Sequence, residues 1–210
     1  MANVTPSRRG RLFVIAAASG TGKTSLVKEL TARHPQLAFS VSHTTRPRRE
    51  NEVDGRDYHF IDRPTFERMI AAGGFLEHAS VFDNLYGTAQ SEVERALAAG
   101  RDLVLEIDWQ GAGQLRAKLP EAADVFILPP SRAALEERLR GRGTDSPEVI
   151  ARRLRDSVTE LSHWHDFRYV IINDRFEQAL SDLERVIDGE PADLGRDRPG
   201  LREFADGLLA

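Results

Sequence analysis

The run Ala17-Ala18-Ser19-Gly20-Thr21-Gly22-Lys23-Thr24 combines small side chains, glycines, a lysine and a hydroxyl in a fixed order. Such a run is a cradle for a phosphate chain. Backbone N–H groups from Ser19 to Lys23 can wrap the anion, and a following helix adds the partial positive charge of its N-terminus. Lys23 can reach the β- and γ-phosphates and Thr24 can ligate Mg²⁺, while Ser25 opens the helical pattern and completes the candidate set. Glycine at 20 and 22 permits close approach of the backbone. The pattern opens on Ala17 where glycine is usual, and this relaxed form arises by accident in roughly one to two per cent of chains of this length. The apolar run 12–15 before it and the helical pattern after it make accident rarer still.

A second chemical signal is Val104-Leu105-Glu106-Ile107-Asp108, an apolar strand ending in carboxylates. Beside a phosphate loop, Glu106 is placed to hold Mg²⁺ directly or through water. Without the loop it would be unspecific, because strand-end acids are common as helix caps and solvated turn residues. Arginines cluster at 46–49 and within 138–155, and read as local anion sites. His43, His59 and His78 lack metal-ligand spacing and read as ordinary polar or partly buried histidines. Trp109 and Phe75 read as packing residues.

The elements that must position these groups follow from the apolar pattern. Runs of strand length recur at 12–16, 37–41, 103–107, 125–128 and 169–172, mostly apolar throughout as strands buried on both faces are. Helical patterns lie between them, including 25–33, 91–99, 132–140, 148–161 and 176–187. Alternation of this kind predicts a parallel sheet flanked by helices. The segment 42–87 breaks the rhythm, with turn signals at Asp54-Gly55, Gly73-Gly74 and Asp83-Asn84, and reads as a small inserted subdomain. The irregular piece 141–147 joins two arginine-rich helices and suits a mobile lid. Beyond Gly189 the composition turns to Pro, Gly, Asp and Arg, which predicts a loosely attached tail.

With 210 residues the chain is long enough for one sizeable core and a small subdomain. Its net charge of −4 argues against broad nucleic-acid binding, and no apolar stretch reaches the length of a membrane span. The absence of cysteine excludes disulfides, thiolate metal sites and cysteine nucleophiles. Ser7-Arg8-Arg9-Gly10-Arg11 before the apolar run has the look of an export signal. Cleavage after the alanines would cut through the phosphate loop, so a buried first strand after a solvated basic start is the better reading.

Several motifs in order then resemble the guanylate kinase family: Ser42-His43-Thr44-Thr45-Arg46-Pro47-Arg48-Arg49, Glu52-Val53-Asp54-Gly55-Arg56-Asp57-Tyr58, Gly74-Phe75-Leu76-Glu77, Leu85-Tyr86-Gly87-Thr88 and Glu106-Ile107-Asp108-Trp109-Gln110-Gly111. The resemblance runs from about Arg11 to Ile187, and takes in Arg138-Leu139-Arg140-Gly141-Arg142-Gly143-Thr144 and Val170-Ile171-Ile172-Asn173-Asp174. It implies an α/β P-loop NTPase fold of the NMP-kinase type, with a small mixed β GMP-binding subdomain and a helical lid. The expected organisation is a basic extension over 1–10, a kinase-like domain over 11–188 with the subdomain at about 42–88 and the lid at about 138–155, and a tail over 189–210.

The resemblance also implies the site. Arg46, Arg49, Tyr58 and Tyr86 would hold the GMP phosphate, and guanidinium forks with phenol hydroxyls suit a phosphate dianion. Pro47 stands one position earlier than usual and Arg48 precedes Arg49; either arginine can make the second contact, and register from Glu52-Val53 favours Arg49. Glu77, Ser42 and Thr88 would hold the guanine, with Asp108 nearby: a carboxylate accepts from N1–H and N2–H₂, and hydroxyls donate to O6. Arg138, Arg142 and Arg153 would close over the transferring phosphoryl group, and Asn173 lies toward the adenine. The implied partners are ATP and GMP, with dGMP and a homo-oligomer left open, no nucleic-acid polymer and no membrane. Mg²⁺ is the implied cofactor and the cytoplasm the implied location.

Two other readings use the same residues. A noncatalytic scaffold of this family would bind phosphopeptides through the arginines and tyrosines, but has no need of Gly22-Lys23-Thr24 or an arginine lid. A sugar-phosphate kinase on the same framework would leave Glu77, Ser42 and Thr88 unexplained as a guanine reader.

Overall fold

The protein is described from a computed structural model covering residues 8–81, 83–141, 147–189 and 191–209. In chain order its elements are β1 (Leu12–Ala17), α1 (Lys23–Arg33), β2 (Ala38–Phe39), β3 (His43–Thr44), β4 (His59–Phe60), α2 (Arg63–Ala71), β5 (Phe75–Val81), β6 (Asn84–Ala89) and α3 (Gln90–Ala98). They continue with β7 (Leu103–Glu106), α4 (Trp109–Lys118), β8 (Ala123–Leu128), α5 (Arg132–Arg140), α6 (Pro147–Ser162), β9 (Tyr169–Ile172), α7 (Phe176–Asp188) and α8 (Leu201–Leu209). Short 3₁₀ turns occupy His163–Asp166 and Ala192–Leu194. One sheet has the strand order β2-β7-β1-β8-β9, and a separate sheet has the order β4-β3-β6-β5. The pairs β1/β8, β2/β7 and β8/β9 are parallel, whereas the second sheet mixes parallel β3/β4 with antiparallel β3/β6 and β5/β6. This is the parallel sheet with helices, plus a separate mixed sheet, of a P-loop NTPase.

The chain divides into two units. One consists of Phe13–His34, Glu106–Trp109 and Ala123–Ala210. Phe13, Val14, Ile15 and Ala16 are all buried, as are Val125 to Leu128 and Val170 and Ile171, because a parallel strand covered on both faces has no solvent side. On α7 the buried residues are Ala179, Leu180, Leu183, Val186 and Ile187, a stripe at helical spacing. It packs against α1, whose own buried face is Leu26, Val27 and Leu30.

The C-terminal stretch departs from expectation. Residues 191–209 form no loose tail: Leu194, Leu201, Ala205 and Leu208 are buried, and α8 packs on α6. Tyr169 and Gly195 form an antiparallel bridge, and the Arg198 guanidinium donates to the carbonyls of Val170 (2.6 Å) and Leu194 (3.1 Å). The apolar residues are sparse but spaced to face one way, so a composition dominated by Pro, Gly and charge hid a packed helix.

The other unit consists of Met1–Leu12, Pro35–Leu105 and Gln110–Ala122. The basic residues Arg8 and Arg11 are solvent-exposed, as expected of a solvated start, and are also tethered: Asp102 accepts from Arg8 Nη2 (2.8 Å), Arg11 N (2.7 Å) and Arg11 Nη2 (2.8 Å). Burial acts to raise the Asp102 carboxyl, and the donors from Arg11 and Arg8 outweigh it and hold its pKa below the usual range. In the mixed sheet β5 and β6 pair from Val81↔Asn84 to Glu77↔Thr88, with a register shift between Phe75 and Glu77. The Asp62 carboxylate caps α2 by accepting from Thr65 N, and Phe66 of that helix stacks on Phe75 with ring centroids 4.4 Å apart. Phe75 is thus the packing residue that its sequence context suggests.

Candidate functional site

β1 leads directly into the phosphate loop. Gly20 and Gly22 both have φ of +91°, a left-handed backbone that side chains rarely adopt. Close packing adds a second reason for glycine: a Cβ on Gly22 would stand 2.6 Å from Asn173 Nδ2, and one on Gly20 2.9 Å from Leu139 Cγ. α1 begins at Lys23 with Gly22 as its cap, so no side chain covers the helix terminus. The loop is braced from behind. Thr21, fully buried, donates its hydroxyl to Ala18 O (2.9 Å), and its own carbonyl accepts from Asn173 Nδ2 (2.7 Å) and Arg138 Nη1 (3.2 Å). Arg138 Nη2 also donates to Asn173 O at 2.9 Å, so this arginine and the asparagine form one support under the turn.

Lys23 Nζ donates to Ile107 O at 2.7 Å, between the carboxylates of Glu106 and Asp108 in sequence. Thr24 Oγ1 donates to Glu106 Oε1 at 2.5 Å, bringing together the hydroxyl and the strand-end acid that the sequence assigns to a metal. Both are hard oxygen donors of the kind Mg²⁺ takes, and among the described residues no group of three His, Asp or Glu is placed to cage a metal. A Mg²⁺ ion fits this pair as one that keeps most of its ligands from water and substrate phosphates.

A residue that the sequence reading missed completes this half. Glu160 on α6 accepts from the Ser19 N–H at 2.8 Å, so one of the loop amides assigned to phosphate already carries a carboxylate. Burial pushes the Glu160 pKa up, the Ser19 amide and Lys23 pull it down, and Asp108 and Asp156 push it up again; the net direction is upward. No local signal marks this acid, which is one of many on an amphipathic helix far along the chain. Trp109 stacks on His163 with ring centroids 3.6 Å apart and planes at 6°, in keeping with a packing role. Arg153 lies on α6 and is partly buried; Arg142 falls outside the described residues.

The second constellation lies in the other unit. Arg46 pairs with Glu52 through Nη2–Oε1 (2.7 Å) and Nη1–Oε2 (3.0 Å), and its guanidinium lies 5.4 Å from the Tyr58 ring centroid. Burial alone would lower the Arg46 pKa, but hydrogen bonds with Glu52 and Tyr86 raise it above its ordinary value. Tyr58 and Tyr86 meet edge to face at 5.9 Å, which places both phenols beside that charge. Glu52 also accepts from Arg49 N (2.8 Å), and its carbonyl accepts from Arg48 Nη1 (3.0 Å). Arg48 is therefore engaged on the backbone, while the Arg49 side chain is exposed and makes no hydrogen bond or ion pair with the described residues. Glu52, used only as a register mark in the sequence, organises all three arginines.

Across the β5/β6 ladder Glu77 and Thr88 are direct partners. Both are buried, at 3% and 0% exposure, and Thr88 Oγ1 donates to Glu77 Oε1 at 2.5 Å. A carboxylate this deep in a small sheet needs hydrogen-bonding partners, and the Thr88 hydroxyl across the ladder is one of them. Ser42 stands at the entry to β3, and its carbonyl accepts from His59 N (2.9 Å). Next to it, burial and the neighbouring His59 lower the His43 pKa, and the two rings lie 4.6 Å apart. Asp108, which the resemblance puts near the base, belongs to the stretch grouped with the phosphate loop.

Comparison with known proteins decides the family. The guanylate kinase family model matches residues 9–190. The chain belongs to the guanylate kinase family. It is 54% identical to the guanylate kinase of Methylococcus capsulatus over 201 residues, covering 96% of this chain and 98% of that one. It is 51% identical to the guanylate kinase of Chromohalobacter salexigens, covering 92% and 90% of the two chains. Among solved structures, the guanylate kinase of Anaplasma phagocytophilum superposes with a TM-score of 0.69 at 30% identity, covering 95% of each chain. The matched range takes in both constellations, the phosphate loop and the buried Glu77–Thr88 pair.

Proposed function

We infer that this chain transfers the γ-phosphate of ATP to GMP, giving ADP and GDP, as an enzyme of purine nucleotide metabolism. The observation that carries this reading is the buried Glu77–Thr88 pair beside an arginine–tyrosine anion site, in a chain that also holds an intact phosphate loop. A phosphopeptide scaffold has no use for Lys23, or for Thr24 held against Glu106. A sugar-phosphate kinase has no use for a buried base reader.

In this reading the loop amides of 17–25, Lys23 and Asn173 hold ATP. Arg46, Arg49, Tyr58 and Tyr86 hold the GMP phosphate; Arg49 takes the second phosphate contact because Arg48 is occupied by Glu52 O. Glu77, Ser42 and Thr88 read the guanine, with Asp108 nearby. Thr24 and Glu106 would hold Mg²⁺, which would neutralise charge on the ATP phosphates. An oxygen of the GMP phosphate attacks the γ-phosphorus, the bond to the β–γ bridging oxygen breaks, and ADP leaves. The nucleophile is already an anion, so catalysis rests on positioning and charge stabilisation by Lys23 and the arginines Arg138, Arg142 and Arg153 rather than on a protein base.

Residues 42–88 then act as the acceptor subdomain, 138–155 as the lid, 11–188 as the kinase domain and 1–10 as an extension. The expected tail over 189–210 is, across its described residues 191–209, a packed C-terminal addition. No helix among the described residues is long and apolar enough to cross a membrane. Cytoplasmic placement follows from the two nucleotides consumed. The deciding assay is ADP release with ATP and, in turn, GMP, dGMP, AMP and ribose 5-phosphate. Turnover with guanine nucleotides alone supports the reading; no turnover, or turnover led by the sugar phosphate, overturns it.

A further inference from the structure

β5 carries Glu77 and is the last strand of its sheet, paired on one side only. An outermost strand presents alternate backbone groups with no strand beyond them, and its position is set less firmly than that of a central strand. At Glu77 the ladder is weaker still, because the register shifts between Phe75 and Glu77 and such an irregularity re-aims the strand locally. Pairing with β6 therefore fixes the backbone around Glu77 from one side only.

α4 supplies what the sheet lacks. Gln114 Nε2 donates to His78 O at 2.7 Å, and Gln114 Oε1 accepts from His78 N at 3.2 Å, so its carboxamide pairs with one residue as a neighbouring peptide group would. Lys118 Nζ donates to Leu76 O. Gln114 and Lys118 are four residues apart, on one face of the helix. Their bonds fall on Leu76 and His78, the residues on either side of Glu77, and all of these groups lie within one unit.

We propose that Gln114 and Lys118 are positioning residues for guanine recognition, acting as a surrogate strand that fixes the backbone on both sides of Glu77 and so aims its carboxylate. The proposal rests on the reading of Glu77 as the guanine reader. Neither side chain touches the nucleotide. Their effect runs through the placement of Glu77, and a misplacement of about 1 Å in a positioned group can cost as much as ~10²-fold.

The test compares Gln114→Met and Lys118→Met, which keep the apolar stems and remove the polar contacts, with Lys118→Arg, which restores a donor. Steady-state ADP release gives KM for GMP, KM for ATP and the preference for GMP over IMP, which lacks the 2-amino group, while melting temperature tracks the fold. The expected result for each Met variant is a KM for GMP raised about tenfold or more and a reduced GMP-over-IMP preference, consistent with misplacement. KM for ATP and kcat at saturating GMP stay within about twofold, a split that a general loss of structure does not produce. Lys118→Arg should recover most of the loss.

An unchanged KM for GMP in both Met variants overturns the proposal, as does a parallel rise in both KM values with a matching fall in melting temperature. Glu77→Ala measured alongside separates the two levels. If it leaves GMP-over-AMP preference intact, the reading of Glu77 has failed. If it abolishes that preference while the α4 variants leave GMP recognition unmoved, only the surrogate strand is refuted.

Discussion

Replacing Glu77 by glutamine is the most direct probe of base recognition, because the side chain keeps its shape and an oxygen to accept from Thr88 Oγ1, which approaches Oε1 at 2.5 Å. The second carboxylate oxygen becomes an NH₂ group. Guanine offers donors at N1 and N2, so the variant loses one charge-assisted bond, weakens another and sets donor against donor. A hydrogen bond to a charged group contributes about 1.5–3 kcal/mol. Losing one and weakening its neighbour removes about 3–4 kcal/mol, which at about 1.4 kcal/mol per decade is a fall of about 10²–10³ in kcat/KM for GMP. Because Glu77 is 3% exposed, water is poorly placed to compensate. The assay is ADP release with GMP varied at saturating ATP, then ATP varied at saturating GMP, with AMP as the alternative acceptor. KM for ATP should hardly move. A kcat/KM for GMP within about threefold of the unsubstituted enzyme would refute the base-reading role and shift it to Ser42, Thr88 or Asp108.

Lys23→Ala should lower kcat by about 10²–10³ or more while melting temperature moves by only a few degrees, since the lost charge acts on the transferring phosphoryl group and Asn173 and Arg138 still brace the loop; a melting collapse sufficient to explain the loss would contradict this. Glu160→Gln should melt higher than the unsubstituted protein at pH 8. Burial raises the Glu160 pKa, so its contribution is present below the unfolded value and is lost as pH rises through the folded one; the gap should therefore close toward pH 5. Arg198→Met should destabilise by about 1–3 kcal/mol, because the carbonyls of Val170 and Leu194 lose a donor. Calorimetry should read that as about 2–4 °C per kcal/mol for a chain of this size, and an unchanged melting point would show the C-terminal segment to be dispensable.

How much was legible in the sequence follows the range of the physics involved. The phosphate loop is local: its glycines, lysine and threonine answer to backbone conformation and charge within a few residues, and β1 and α1 frame it as the apolar pattern requires. α4 has no clear helical signature in the sequence, because Gly111 and Gly113 interrupt it and blur its pattern. That cost the sequence reading Gln114 and Lys118, whose partners lie 36 and 42 residues away. Glu160 escaped for the same reason, at a separation of 141 residues from Ser19. For the second contact proposed to the acceptor phosphate, register from Glu52-Val53 favours Arg49 without excluding Arg48; the bond from Arg48 to Glu52 O is a three-dimensional fact that spacing does not show. α8 was obscured by composition, since a short helix needs only a few apolar residues on one face to dock.

The placement of the aromatic residues divides the molecule optically. The chain has two tryptophans, Trp109 and Trp164, and both belong to the unit that carries the phosphate loop. Trp109 lies flat against His163, with ring centroids 3.6 Å apart, and Trp164 is buried. Of the three tyrosines, Tyr58 and Tyr86 stand in the other unit, beside Arg46. Selective excitation of indole therefore reports on the unit that carries the phosphate loop. If that unit takes the donor nucleotide as proposed, adding ATP should change indole emission without an attached dye. The absence of cysteine leaves any site free for a single introduced thiol when a dye is wanted.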